Sequence, residues 1–260
     1  MVTPYEFILA ALFIFATTFA ATLALLRVGR RIGIRKRASD PEGAVGLGAI
    51  EGAVYGVMGL LLAFTFSGAA ARFDVRRQLI VRETNAIGTA YLRLDLLPPD
   101  YPAKLRDDFR NYVDARLSLN RTRLEGVAKT EMSAATAFQG QIWKQAVAAC
   151  KEANSPAVTS LVLSSLNEMI DVTTMRTAAS QTHPPLVVYL MLLTLLFTSS
   201  LLAGYGSSGG ISPSWLHMLG YASIMAISVY VILDIEFPRV GFVRVDYVDQ
   251  LLRDLRDSMR

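Results

Sequence analysis

The chain has a single cysteine, Cys150, and only two histidines, His183 and His217, among 260 residues. One thiol excludes an internal disulfide framework, and so few soft ligands exclude a cysteine- or histidine-based metal cluster. The sequence has no HExxH, no nucleophile elbow and no glycine-rich phosphate loop between a strand and a helix. GYGSSGG at 204–210 is rich in glycine but follows an apolar run, so it reads as a turn. These absences leave no catalytic machinery and call for no cofactor. β-alternation of useful length is missing as well, which leaves helices as the building material. Cys150 falls in the helical pattern WKQAVAACKEA and reads as a small buried residue.

Charge is missing where its absence matters most. Residues 186–204, LVVYLMLLTLLFTSSLLAG, carry no acid or base, and a helix of roughly 20 apolar residues crosses the hydrocarbon core of a bilayer. Inside that core only a helix or a closed barrel satisfies its own backbone. Segments 6–26, 47–70 and 215–235 have the same character. A hydrophobic content of 52% and a mean hydropathy of +0.36 agree. The first run has no basic segment ahead of it, and its positive charge follows it, so it reads as an uncleaved anchor. The expected fold is all-α: an integral membrane protein with two spans, an inserted helical domain of about four helices, then two spans. The expected divisions are 1–71, 72–184, 185–238 and a tail, 239–260.

The polar insert reads as helix throughout. Phe73, Leu79, Ile80, Thr84, Ile87, Tyr91 and Leu94 follow a helical repeat that Pro98 and Pro99 stop. Leu105, Phe109, Tyr112, Val113, Arg116 and Leu117 then share one face. A third helix is expected over about 130–152. A fourth, over about 156–180, opens with the cap-and-proline pair Ser155-Pro156. AFTFSGAAARFDVRRQL keeps helical character out of the second span with no proline, so one long helix is expected there, with Gly68 its weak point.

Basic residues give two answers on orientation. The connection at 27–37 holds six Arg/Lys, and cytoplasmic loops are normally the basic ones. The side bearing the insert and tail holds nine near the spans and in the tail: Arg72, Arg76, Arg77, Arg82, Arg176, Arg239, Arg244, Arg253 and Arg256. Nine against six places the helical domain and both termini in the cytoplasm. The net charge of +4 sits largely beside the spans and does not indicate nucleic acid.

The run IEGAVYGVMGLLLAFTFSGAAARFDVRRQLIVRETNAIGTAYLRLDLLP resembles the bacterial bestrophin-like domain proteins. LNEMIDVTTMR, the HPP before the third span and VYVILDIEFPRVGFVRVD are similar to the same family. The resemblance runs from about Gly46 to the C-terminus, and it implies a bacterial inner-membrane protein. More distantly, LLAFTFSGAAARFDVRR is similar to the second helix of true bestrophins, which are pentameric anion channels with a helical cytosolic domain. That likeness implies a homo-pentamer with membrane lipid and small inorganic anions as partners. Phe64 matches the innermost of three neck positions spaced four apart, Leu60 the next and Gly56 the third. Gly56 departs from the pattern because it has no side chain to narrow a ring. Phe73-Asp74 replaces the tryptophan pair that usually follows the arginine.

Physical chemistry gives each of these residues a second reading. Leu60 and Phe64 either ring a constriction that gates by dewetting or pack between helices. Arg72, Arg76 and Arg77 either line an anion-attracting vestibule or anchor the helix at the interface. Asp171, Arg176, Asp234, Glu236 and Arg239 are expected to form a structural polar network, with Asp234 pairing to Arg72 or Arg176. Glu51 sits at the edge of the second span, and His217 beside Trp215 at an interface. Two functions fit: an anion channel lined by the second helix, or a non-conducting scaffold acting through the helical domain.

Overall fold

The computed structural model describes residues 4–39, 47–121, 125–209, 214–238, 242–243 and 246–259. They form eight α-helices: α1 (Pro4–Ser39), α2 (Leu47–Leu92), α3 (Pro102–Arg121), α4 (Glu125–Ala153), α5 (Pro156–Gln181), α6 (Leu186–Gly206), α7 (Trp215–Glu236) and α8 (Asp246–Ser258). No strand occurs among the described residues. Four helices, α1, α2, α6 and α7, are long and apolar enough to cross a membrane, and the protein is an all-α membrane protein. α2 runs for 46 residues through Ser67 and Gly68 without a break. Because roughly 20 residues suffice to span a bilayer, α2 is more than twice as long as a crossing needs.

The chain divides into two compact units. The first holds residues 74–182 and 244–260. Its core takes Ile87 and Leu94 from the chain around the end of α2, Leu105, Phe109, Tyr112 and Val113 from α3, Ile142 and Ala146 from α4, and Leu166 and Met169 from α5. The amphipathic spacing read from the sequence therefore buries the faces it marks. Cys150 is free and buried in the same core, where burial pushes its thiol up from its ordinary value. Between α4 and α5, Asn154 adopts a left-handed backbone (φ 44°), which asparagine tolerates better than most residues. Ser155 then accepts a hydrogen bond from the Val158 amide and Pro156 opens α5, as its sequence predicts.

One helix of this unit was not expected. Asp246–Ser258, within the stretch 239–260 read from the sequence as a tail, form α8 and pack against α3. Leu252 and Met259 are buried, and Arg256 donates to both carboxylate oxygens of Asp114 at 2.8 Å.

The second unit holds residues 3–73 and 183–243. Here α1 packs against α6 and α7. Small residues bring the backbones together. A Cβ added at Gly204 would lie 2.1 Å from the Leu26 carbonyl oxygen, and one at Gly29 would lie 2.0 Å from the Leu201 carbonyl oxygen. Lipid chains are as apolar as leucine, so close approach of this kind holds membrane helices together. The 27–37 connection, expected as a basic loop, is instead the last three turns of α1.

Candidate functional site: the second helix and its ionic neighbours

The apolar half of α2 has two unlike faces. Met58, Thr65 and Ala69 are buried, and Met58 accepts a hydrogen bond at 2.8 Å from Ser199 on α6. The opposite face presents Gly56, Leu60 and Phe64, each one turn from the next. Leu60 is 55% and Phe64 66% exposed. A Cβ added at Gly52, Gly56 or Gly59 would meet nothing within 4 Å. Among the described residues nothing covers this face. Membrane helices expose leucine and phenylalanine to lipid freely, but a row of glycines leaves backbone carbonyls thinly shielded. The row fits better against another helix or a polar lumen.

Next along α2 come the arginines, and each has a protein acceptor. Arg72 grips Glu236 at the end of α7: its Nε lies 2.9 Å and its Nη2 2.7 Å from Oε2. The other carboxylate oxygen, Oε1, lies 2.8 Å from His183 Nδ1, and the His183 ring stacks on Phe237 at 4.7 Å. Glu236 is 1% exposed. A buried carboxylate needs such partners, because an unpaired one would cost several kcal/mol. Arg76 is buried and donates to the carbonyls of Ala179 and Thr182, at 3.1 and 2.9 Å. These are the open carbonyls at the end of α5, where a cation also complements the helix dipole. Arg77, part-exposed, pairs with Asp74 one turn back at 3.2 Å.

Geometry corrects the expected polar network. Asp234 does not pair with Arg72; its Oδ2 accepts from the Val243 amide at 3.0 Å. Asp171 is exposed and accepts from Asn167 on its own helix at 3.2 Å. Arg239 lies outside the described residues. Arg176 instead joins Glu83, which also accepts from Arg116 Nε at 2.7 Å. Glu83 is 0% and Arg116 2% exposed. Burial is the strongest single influence on Glu83 and pushes its carboxyl up, but the Arg176 and Arg116 guanidiniums together outweigh it and hold it below the ordinary carboxylate range. Beside this trio, Tyr112 hydrogen-bonds Thr173 at 2.9 Å and accepts from Gln139 at 3.2 Å. Burial first, then the Glu83 charge, pushes its phenol up.

The sequence singled out Arg116 only as one member of an otherwise apolar face, and it passed over Glu83. The available signal was that mismatch: an arginine at a core position of α3 calls for a buried acid on a facing helix. Glu51 and His217 remain at the ends of their helices. Glu51 Oε2 would lie 2.9 Å from a Cβ at Gly206, and His217 Nδ1 lies 2.5 Å from Ser214 Oγ.

Four apolar spans, an uninterrupted second helix and a helical insert form a pattern that can be compared with known proteins. The model of the Bestrophin-like domain family matches residues 16–249. The chain belongs to that family. No curated protein matches the sequence. Among solved structures, a tryptophan-to-alanine variant of a bacterial bestrophin homolog from Klebsiella pneumoniae is similar with a TM-score of 0.71 at 14% identity, over 94% of this chain and 96% of that one. An aspartate-to-alanine variant of the Klebsiella pneumoniae homolog gives 0.68 at 15% identity, over 92% and 97%. A structure described as a membrane protein, with a proline-to-alanine change, gives 0.69 at 14% identity, over 93% and 97%. Likeness at this identity establishes the bestrophin fold, and the family match agrees with it.

Proposed function

We propose that this bestrophin-like chain assembles into a homo-oligomer, a pentamer by family resemblance, and passes small anions through a pore lined by α2. The observation that carries the reading is the uncovered face of α2, where Gly56, Leu60 and Phe64 follow one another at single-turn spacing. A single four-span chain encloses no pore, so a conducting path needs several copies of that face around an axis. Rings of Leu60 and Phe64 would then form two apolar constrictions that stop conduction by dewetting. Gly56 would leave the third level wide. Because Arg72 and Arg76 are committed to Glu236 and to carbonyl oxygens, anions would be drawn by the summed field of the basic segment and not by open guanidiniums. The reading includes a cytoplasmic position for the helical domain and both termini.

Recording from purified protein in planar bilayers tests the proposal. Phe64→Ala is expected to raise anion current while native mass spectrometry still finds the wild-type oligomer. An intact Phe64→Ala oligomer as silent as the wild type would count against conduction and for a scaffold. A monomer or dimer across several mild detergents would end the channel reading.

A further inference from the structure

The last turns of α1 carry six basic residues, Arg27, Arg30, Arg31, Arg35, Lys36 and Arg37, and no acid occurs from Arg27 to Ser39. Where they lie is set by the packing of α1 on α6 and α7. Leu26 meets Gly204, the last residue of the uncharged run of α6, while Gly29 meets Leu201 and Tyr205. The Arg27 guanidinium lies over the Trp215 ring, 5.1 Å from its centre, at the start of α7. Arg27 to Arg31 therefore enter the helix bundle level with the final apolar turn of α6 and with an aromatic pair, Tyr205 and Trp215. That is the composition of a headgroup-level belt. The same turns bury Gly29 and Gly33 against α6 and the turn at residues 207–209. This points Arg27, Arg31 and Arg35, spaced by four, along the exposed side. Ala24, exposed on the same side, lies one turn before Arg27 in the apolar part of α1. Among the described residues, neither Arg31 nor Arg35 has a protein acceptor. Glu51 faces Gly206 at this end of α6.

From this geometry we infer that the Arg27–Arg31–Arg35 row binds the phosphate of an anionic phospholipid, with Ala24, exposed on the same side one turn toward the apolar end of α1, against its acyl chains. A guanidinium fork matches phosphate oxygens in pairs. A row of exposed cations at headgroup depth, with an apolar side chain beside it, suits a lipid better than a free ion. A free phosphate would gain nothing from Ala24. The inference does not depend on conduction.

Native mass spectrometry of the full chain in detergent, titrated with phosphatidylglycerol and with phosphatidylcholine of the same acyl chains, tests it. Phosphatidylglycerol adducts are expected to persist at collision energies that strip phosphatidylcholine, and to weaken as ionic strength rises. Each basic residue near an anionic lipid surface contributes about 1 kcal/mol, or about fivefold. Arg31→Gln with Arg35→Gln should therefore lower phosphatidylglycerol affinity on the order of 25-fold. Arg31→Lys with Arg35→Lys should retain most of it. If the Gln pair fails to fold, the salt dependence and the Lys pair still decide. Equal retention of the two lipids, a preference unchanged in the Gln pair, or displacement of the lipid by millimolar inorganic phosphate would each overturn the inference, the last because it would mark a site for the free ion.

Discussion

At the residue scale, the feature with the largest energetic consequence is Glu83. Its carboxylate is wholly buried and accepts from Arg116 and Arg176. Taking it away leaves two guanidiniums in the interior without their acid. Glu83→Gln is therefore expected to cost about 3–5 kcal/mol, the range for breaking a buried ion pair from one side. Denaturant unfolding of the full chain in detergent, followed by circular dichroism, measures that loss. The same site fixes an acid limb. Because the folded carboxyl is held below its ordinary value of 4.5, its contribution is complete above pH 4.5 and disappears as pH falls through the lower folded value. The wild type should lose stability on acidification through that window, and Glu83→Gln should lose markedly less. Equal acid limbs in the two proteins would show that other carboxylates control the transition.

At the scale of elements, glycines with unlike surroundings make a sharp contrast. At Gly204 a methyl group would collide with the Leu26 backbone carbonyl, which cannot swing away as a side chain does. Gly204→Ala should force α1 and α6 apart and cost at least the 1–3 kcal/mol typical of overpacking. At Gly56 the same methyl meets nothing, and alanine favours the helix by about 1 kcal/mol. Gly56→Ala should thus leave monomer stability equal or raised, as thermal unfolding in detergent will show. α8 supplies a second contrast. Leu252 is fully buried there, and Leu252→Ala should lower the stability of the helical unit by about 2–5 kcal/mol. Limited proteolysis would then release the end of the chain. If Leu252→Ala keeps full stability and protease resistance, α8 is dispensable to the fold.

At the scale of the whole molecule, proposed orientation and assembly can be tested together. With Cys150→Ala as background, a new cysteine at Ser207 should react with an impermeant reagent in intact cells, whereas one at Ser118 should be protected. The reverse pattern would invert the proposed topology. Much of the architecture was legible in the sequence. Uncharged runs such as 186–204 marked spans because the bilayer core admits little else. Ser155-Pro156 and Pro98-Pro99 marked ends of helices because their chemistry is local. The apolar face of α3 pointed to its core for the same reason, since a 3.6-residue period is written into the chain itself. α8 escaped notice because its amphipathic pattern is short and mixed with charge at a chain end. The pairings were not legible. Arg72 to Glu236 spans 164 positions and Arg176 to Glu83 spans 93, and several acids and arginines of equal standing competed for each place. Local composition determined which segments are helices, which of those can cross a membrane, and where most of them end. Only the tertiary structure decided which charge meets which, because an ion pair forms between whichever side chains packing brings within about 3 Å, and sequence separation places no constraint on that.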